Sequence, residues 1–142
     1  MAYSRQDVAP SKQSAVRSYV ASSVATMSPG RMIVALYDRL LLDLERAQMG
    51  FAEGAPELVH ECLLHAQTIV AELHDSLDRE KWSGANSLAD LYLFIYNELV
   101  TANLEKDAAK VESCRELLMP LRNAWNEAAG IVSSADAADG RA

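Results

Sequence analysis

An all-α fold, an antiparallel up-and-down four-helix bundle with a short N-terminal capping helix, is what this sequence predicts. Three observations carry it. Apolar residues recur with a helical period in four long stretches. Short polar breaks containing Gly, Pro or Asp separate those stretches. Half of the residues are hydrophobic, yet aromatics make up only 6% and prolines number four, so Leu, Ala and Val interleave with charged residues as amphipathic helices require. Long helices joined by short connections pack as antiparallel neighbours. At 142 residues the chain suits one domain that buries roughly two-thirds of the surface of its unfolded form.

Residues 1–12 are polar, contain Pro10 and show no periodicity, which predicts a flexible arm ahead of the domain at 13–129. Between Ser14 and Val24, Val16, Tyr19, Val20 and Val24 follow an i, i+3, i+4, i+8 spacing. A helix this short is marginal alone in water and has to dock to persist. Ser28-Pro29 then starts the first long helix: the serine hydroxyl accepts from free first-turn N–H groups, and proline at the first helical position forfeits no needed donor. Ile33, Leu36, Tyr37, Leu40, Leu44 and Ala47 share one face of it, and the helix is expected to run to about Phe51, ending near Gly54. Met32, Val34, Leu41, Leu42 and Met49 point elsewhere, so the helix carries more apolar surface than one core contact needs.

Pro56 opens the second long helix, with Val59, Cys62, Leu63, Ala66, Ile69, Val70, Leu73 and Leu77 inward and an end near Asp78. A polar loop follows, and Ser87 with Asp90 resembles a capping box for the third helix. Leu88, Leu91, Tyr92, Ile95, Leu99 and Ala102 form its inner stripe, while Leu93, Tyr96, Val100 and Leu104 form a second apolar row. Asp107 is the expected N-cap of the last helix, which turns Val111, Cys114, Leu118, Leu121 and Trp125 inward. Pro120 lies in its middle, where a missing N–H and a crowding ring predict a kink or a break. Residues 130–142 are small and polar, and a disordered tail is expected there.

The net charge of −7 argues against nucleic acid or an anionic membrane as partner, since both demand clustered Lys and Arg. No stretch is long and apolar enough to span a bilayer, and no signal-peptide pattern opens the chain, so a cytoplasmic location without membrane insertion is expected. Cys62 and Cys114 fall on helical core positions and read as buried free thiols. Glu57 and His60 match a Glu-x-x-His motif, but a di-metal site needs a second such motif, and His60, His65 and His74 all lie in one helix. Phosphotransfer on His65 or His74 lacks a neighbouring basic residue and glycine. The chain therefore reads as a non-enzyme with neither metal nor cofactor, and a helical-bundle regulatory or histidine-phosphotransfer protein is the alternative. Surplus apolar rows on two helices suit the binding of another chain, a homodimer face, or packing under the short first helix.

Tyr19, Thr26, Ser28 and Pro29, followed by Leu36-Tyr37-Asp38, resemble the flagellin-specific export chaperones of the FliS family. The similarity continues in order through residues 66–78 (from Ala66 to Asp78), Leu88-Ala89-Asp90-Leu91-Tyr92, residues 99–107 and residues 121–127, which end in Trp125-Asn126-Glu127. It spans about residues 14–128 and differs at Trp82-Ser83-Gly84-Ala85, where the family has a Gly-Gly-Glu-like turn, and at Pro120. The resemblance implies a four-helix bundle that binds the disordered C-terminal segment of flagellin, one to one, against premature polymerisation and aggregation. It also implies delivery to a flagellar export-gate component. On it, flagellin contacts are expected at Ile33, Val34, Tyr37, Leu41, Leu44, Leu93, Tyr96 and Val100. Export-gate docking is expected through Val16 and Tyr19, and the marginal helix with Val16, Tyr19, Val20 and Val24 would also serve as a groove cover when flagellin is absent. The free state is expected to be a monomer or a weak homodimer. Trp82 is expected to fold back on its own bundle in preference to meeting a partner.

Overall fold

The computed structural model describes residues 29–78, 80 and 82–141. Four helices follow in order: α1 (Pro29–Ala52), α2 (Pro56–Asp75), α3 (Ala85–Glu105) and α4 (Ala108–Arg141). The expected arm, the short helix and the Ser28 cap lie outside the described residues.

Each boundary has a local cause. Past the end of α1, Gly54 takes φ +65°, a left-handed conformation that costs glycine no Cβ clash, and the chain turns directly into α2 with Pro56 in its first turn. The Ala55 N–H donates to the Gly50 carbonyl at 2.8 Å. Gly50 itself is needed for close helix approach, because a Cβ there would sit 2.8 Å from Val59 Cγ2. At the end of α2 the Ser76 hydroxyl donates to the Leu73 carbonyl at 2.8 Å, and the helix stops three residues before the expected Asp78. The capping box expected at Ser87 is a correction. Helix α3 starts at Ala85 with Gly84 as cap and no side-chain cap bond, because the Trp82 ring lies where any Gly84 side chain would go. Lys106 closes α3 at φ 52°, and the Asp107 carboxylate accepts from Ala109 N at 3.0 Å and Lys110 N at 3.4 Å, the N-cap expected from the sequence.

Pro120 neither breaks α4 nor ends it. Its position is exposed, and so is Glu116, whose carbonyl loses the intrahelical bond and can take one from water. Leu118 is buried on the opposite side, with Leu121 and Trp125 packed against the core beyond the proline, so inward contacts on both sides hold one helix. The helix also continues to Arg141 through residues 130–141, where an irregular tail is expected from the sequence.

Helix α1 packs on α2 and α4, and α3 packs on the same two, so α1 and α3 face each other across the bundle's diagonal. The seam between α3 and α4 is the sparsest of the four. The core is the stripe set read from the sequence: Tyr37, Leu40, Leu44 and Ala47 meet Val59, Leu63, Ala66, Val70 and Leu73, with Tyr92, Ile95, Leu99, Val111, Cys114 and Leu118 closing it. At the diagonal, the Tyr37 and Tyr92 hydroxyls share a 2.6 Å hydrogen bond. Burial raises both phenol pKa values above the ordinary one, and the Trp125 indole beside them works against that rise.

Candidate partner-binding faces

Side-chain ties fix which face of each helix looks at which neighbour. Asp38 grips Arg122 of α4, with Arg122 Nε and Nη2 donating to its two carboxylate oxygens at 2.7 and 3.3 Å. Gln48 Nε2 donates to the Ala108 carbonyl at 3.0 Å. That side of α1 therefore faces α4, and the 100° step per residue puts Val34, Leu41 and Leu42 on it or just outside it. Met119 stands on the α1-facing side of α4, one turn before Arg122 as Leu41 is one turn after Asp38. Leu42 and Met119 are exposed, Leu41 is half-buried, and Val34 is nearly covered. Together they form one apolar outer face.

Between α2 and α3 the tie is polar. Asn103 Nδ2 donates to His60 Nδ1 at 3.0 Å while Lys106 Nζ donates to Asn103 Oδ1 at 2.7 Å. Stepping along both helices from that tie places Leu64, Leu93, Tyr96, Val100 and Leu104 along a second outer face. Leu64 is 42% exposed, Leu93 48% and Leu104 80%, so this strip is the more open of the two.

The residues expected to touch a partner are not brought together. Val34 and Leu41 of α1 and Leu93, Tyr96 and Val100 of α3 lie on helices that are diagonal, so they flank opposite faces, while Ile33 is half-buried on the inner stripe against the core. Tyr37 and Leu44 are 0% exposed and belong to the core, where they offer no surface to a partner while the bundle is closed. Val16, Tyr19, Val20 and Val24 lie outside the described residues. Leu42, Leu64, Phe94, Leu104, Leu117 and Met119 are exposed apolar residues absent from the expected set. Of these, Leu104 and Leu42 stand in the surplus rows visible in the sequence, whereas Met119 and Leu64 become legible only once the neighbouring helix is known.

Several titratable groups in the bundle are engaged in structure. Asp43 is 1% exposed on α1, accepts from His65 Nδ1 of α2, and has Arg39 Nη2 at 3.5 Å. Desolvation raises its pKa above the ordinary carboxylate value, against the opposing pull of His65. Cys62 and Cys114 are buried free thiols, as the helical spacing predicts, and burial pushes Cys114 up to about 12. Among the described residues no group of three or more His, Cys, Asp or Glu is placed to hold a metal ion, and no helix is long and apolar enough to cross a membrane. Trp82 stacks edge-on against Trp125 with ring centroids 6.4 Å apart, so the loop tryptophan does fold back onto its own bundle while remaining 47% exposed.

With this geometry in place, the family model described as flagellar protein FliS matches residues 12–132. The chain belongs to the FliS family. Among similar proteins, the flagellar secretion chaperone FliS of Bacillus subtilis (strain 168) is 29% identical over 116 residues, covering 82% of this chain and 86% of that protein. The Salmonella typhimurium flagellar secretion chaperone FliS is 33% identical over 110 residues, covering 76% of this chain and 82% of that protein. The Escherichia coli flagellar secretion chaperone FliS is 30% identical over 110 residues. Several residues through which this chain resembles the FliS family hold the bundle together: Tyr37 and Tyr92 bond across the diagonal, Asp38 grips Arg122, and Asn103 links α2 to α3. The resemblance therefore reports the frame on which the outer faces are mounted.

Proposed function

We propose that this protein is a cytoplasmic flagellar secretion chaperone that binds the disordered C-terminal segment of flagellin, one to one. By doing so it prevents premature polymerisation and aggregation and aids delivery to the export apparatus. The observation that carries this reading is the pair of apolar outer faces on a closed bundle, added to family membership. Amphipathic client segments offer i, i+3, i+4 anchors to such faces. The segment seats on Ile33, Val34 and Leu41 together with Leu42 and Met119, while Tyr37 and Leu44 form the buried backing of that face.

Contact with Leu93, Tyr96 and Val100 as well requires the client to cross the bundle. Two helices side by side span about 20 Å. Half a turn around them is roughly 35 Å, or about ten residues of extended chain. A client segment of about forty residues is long enough for a helix on one face, a crossing, and a second helix. An N-terminal segment bearing Val16, Tyr19, Val20 and Val24 would dock at the export gate and cover apolar surface when no client is bound.

Co-elution and calorimetry of the purified chain with the last forty or so residues of the cognate flagellin test this. A stable one-to-one complex is expected. No complex from soluble, folded protein would overturn it.

A further inference from the structure

The two outer faces differ in charge. From Glu53 to Glu105 the chain has ten acidic residues against two cations, Arg79 and Lys81, both in the stretch between α2 and α3. Helix α1 instead balances Arg31, Arg39 and Arg46 against Asp38, Asp43 and Glu45. In α4, Lys110, Arg115 and Arg122 stand among Glu112, Glu116 and Glu127. Because α2 and α3 are neighbours, the bundle's negative charge gathers on one side.

On that side the acids bracket the apolar strip. Helical position puts exposed Glu57 and Glu61 beside its Leu104 end, and exposed Asp75 and Asp90 beside its Leu93 end. Among the described residues, Lys106 at the Leu104 end already donates to Asn103. An apolar strip with carboxylates at both ends attracts a helix whose apolar stripe is flanked by cations, and it repels one flanked by acids. It also repels a second copy of itself, since the same acids would meet across a two-fold axis.

We propose that the α2–α3 face is a docking surface for a Lys- or Arg-flanked amphipathic helix on a protein partner. Leu64, Leu93, Tyr96 and Val100 take its apolar anchors, while Glu57, Glu61, Asp75 and Asp90 take its cations. The surface stands on this chain's charge and exposure alone, so it holds whether or not a flagellin segment also reaches that face. A basic partner and a client there would compete, and a client confined to the α1–α4 face would leave it free.

The test uses the full chain and a designed helical peptide of about 18 residues with leucines at i, i+3, i+4 and i+7 and flanking lysines. A twin peptide carries glutamates in place of lysines. Expected is one-to-one binding of the lysine peptide, weakened about tenfold or more by raising salt, and no binding of its twin. Leu93→Ser, and separately the pair Glu61→Lys with Asp90→Lys, should each reduce affinity about tenfold, while Met119→Ser on the opposite face should not. Equal binding of both peptides, loss with Met119→Ser in place of Leu93→Ser, or absence of binding would overturn the proposal. So would self-association of the free chain through Leu93, which would assign the face to a second copy. Binding that emerges only after removal of residues 1–28, which carry Arg5, Lys12 and Arg17, would assign it to the chain's own N-terminal segment and equally overturn it. The probe contains no flagellin sequence, so its outcome is independent of the client experiment.

Discussion

Tyr37→Phe tests how the bundle is tied across its diagonal. The two tyrosine hydroxyls share a 2.6 Å bond, with Tyr37 0% and Tyr92 1% exposed. Removing one hydroxyl leaves the other buried without that partner, which costs about 1–3 kcal/mol. For a chain of this size that is a fall in Tm of roughly 3–10 °C. Tyr92→Phe should cost a similar amount. The double variant loses both polar groups and keeps both rings, so it should be no less stable than either single and should fall well short of their sum. Urea denaturation of the three variants and the parent measures this, with unchanged m-values showing that the folded and unfolded states remain comparable. Additive losses in the double variant, or single variants within about 0.3 kcal/mol of the parent, would refute the reasoning.

Further expectations follow from the same structure. Pro120→Ala restores a donor toward the Glu116 carbonyl in a continuous helix and should stabilise the chain by about 1–3 kcal/mol in urea denaturation, with unchanged helical circular dichroism. Asp43 has its folded pKa raised above the unfolded value of 3.8, chiefly by burial. Its contribution is therefore fully present below about 3.8 and is lost as pH rises through the folded value, so the parent's stability relative to Asp43→Asn should decline with rising pH across that window. A gap that widened with pH would contradict it. Leu42→Glu adds a charge at a position 41% exposed, so it should shift stability by less than about 1 kcal/mol. The same change should weaken the flagellin segment about tenfold or more in calorimetry. Leu41→Glu, half-buried and packed on the core, should damage fold and binding together.

Periodicity made the frame legible. The inner stripes of all four helices emerge where the apolar spacing places them, because burying one stripe per helix is the main gain available to a chain of this composition. Pro29, Gly54, Pro56 and Asp107 mark helix ends for reasons written in their own backbone or side-chain chemistry. Ser87 is not the cap because α3 begins two residues earlier, at Ala85, where the Trp82 ring folds against Gly84. Pro120 does not break α4, because its local cost is outweighed by inward contacts on either side of it. The outer faces were legible only as a surplus. Spacing shows that Val34, Leu41 and Leu93 point away from their own helix's stripe, but only the pairing of helices shows that α1 and α3 are diagonal. For the same reason Leu64 and Met119 were missed: each completes a face begun by residues on another helix.

Methyl-resolved NMR of the full chain titrated with the C-terminal segment of its cognate flagellin tests the central claim most directly. Saturating at one equivalent, the segment should shift the methyls of exposed Leu42 and Met119 on one face and of exposed Leu93 and half-buried Val100 on the other, with smaller changes at core Leu40 and Leu63. Shifts confined to the core, or a spectrum unchanged at excess segment, would contradict the account.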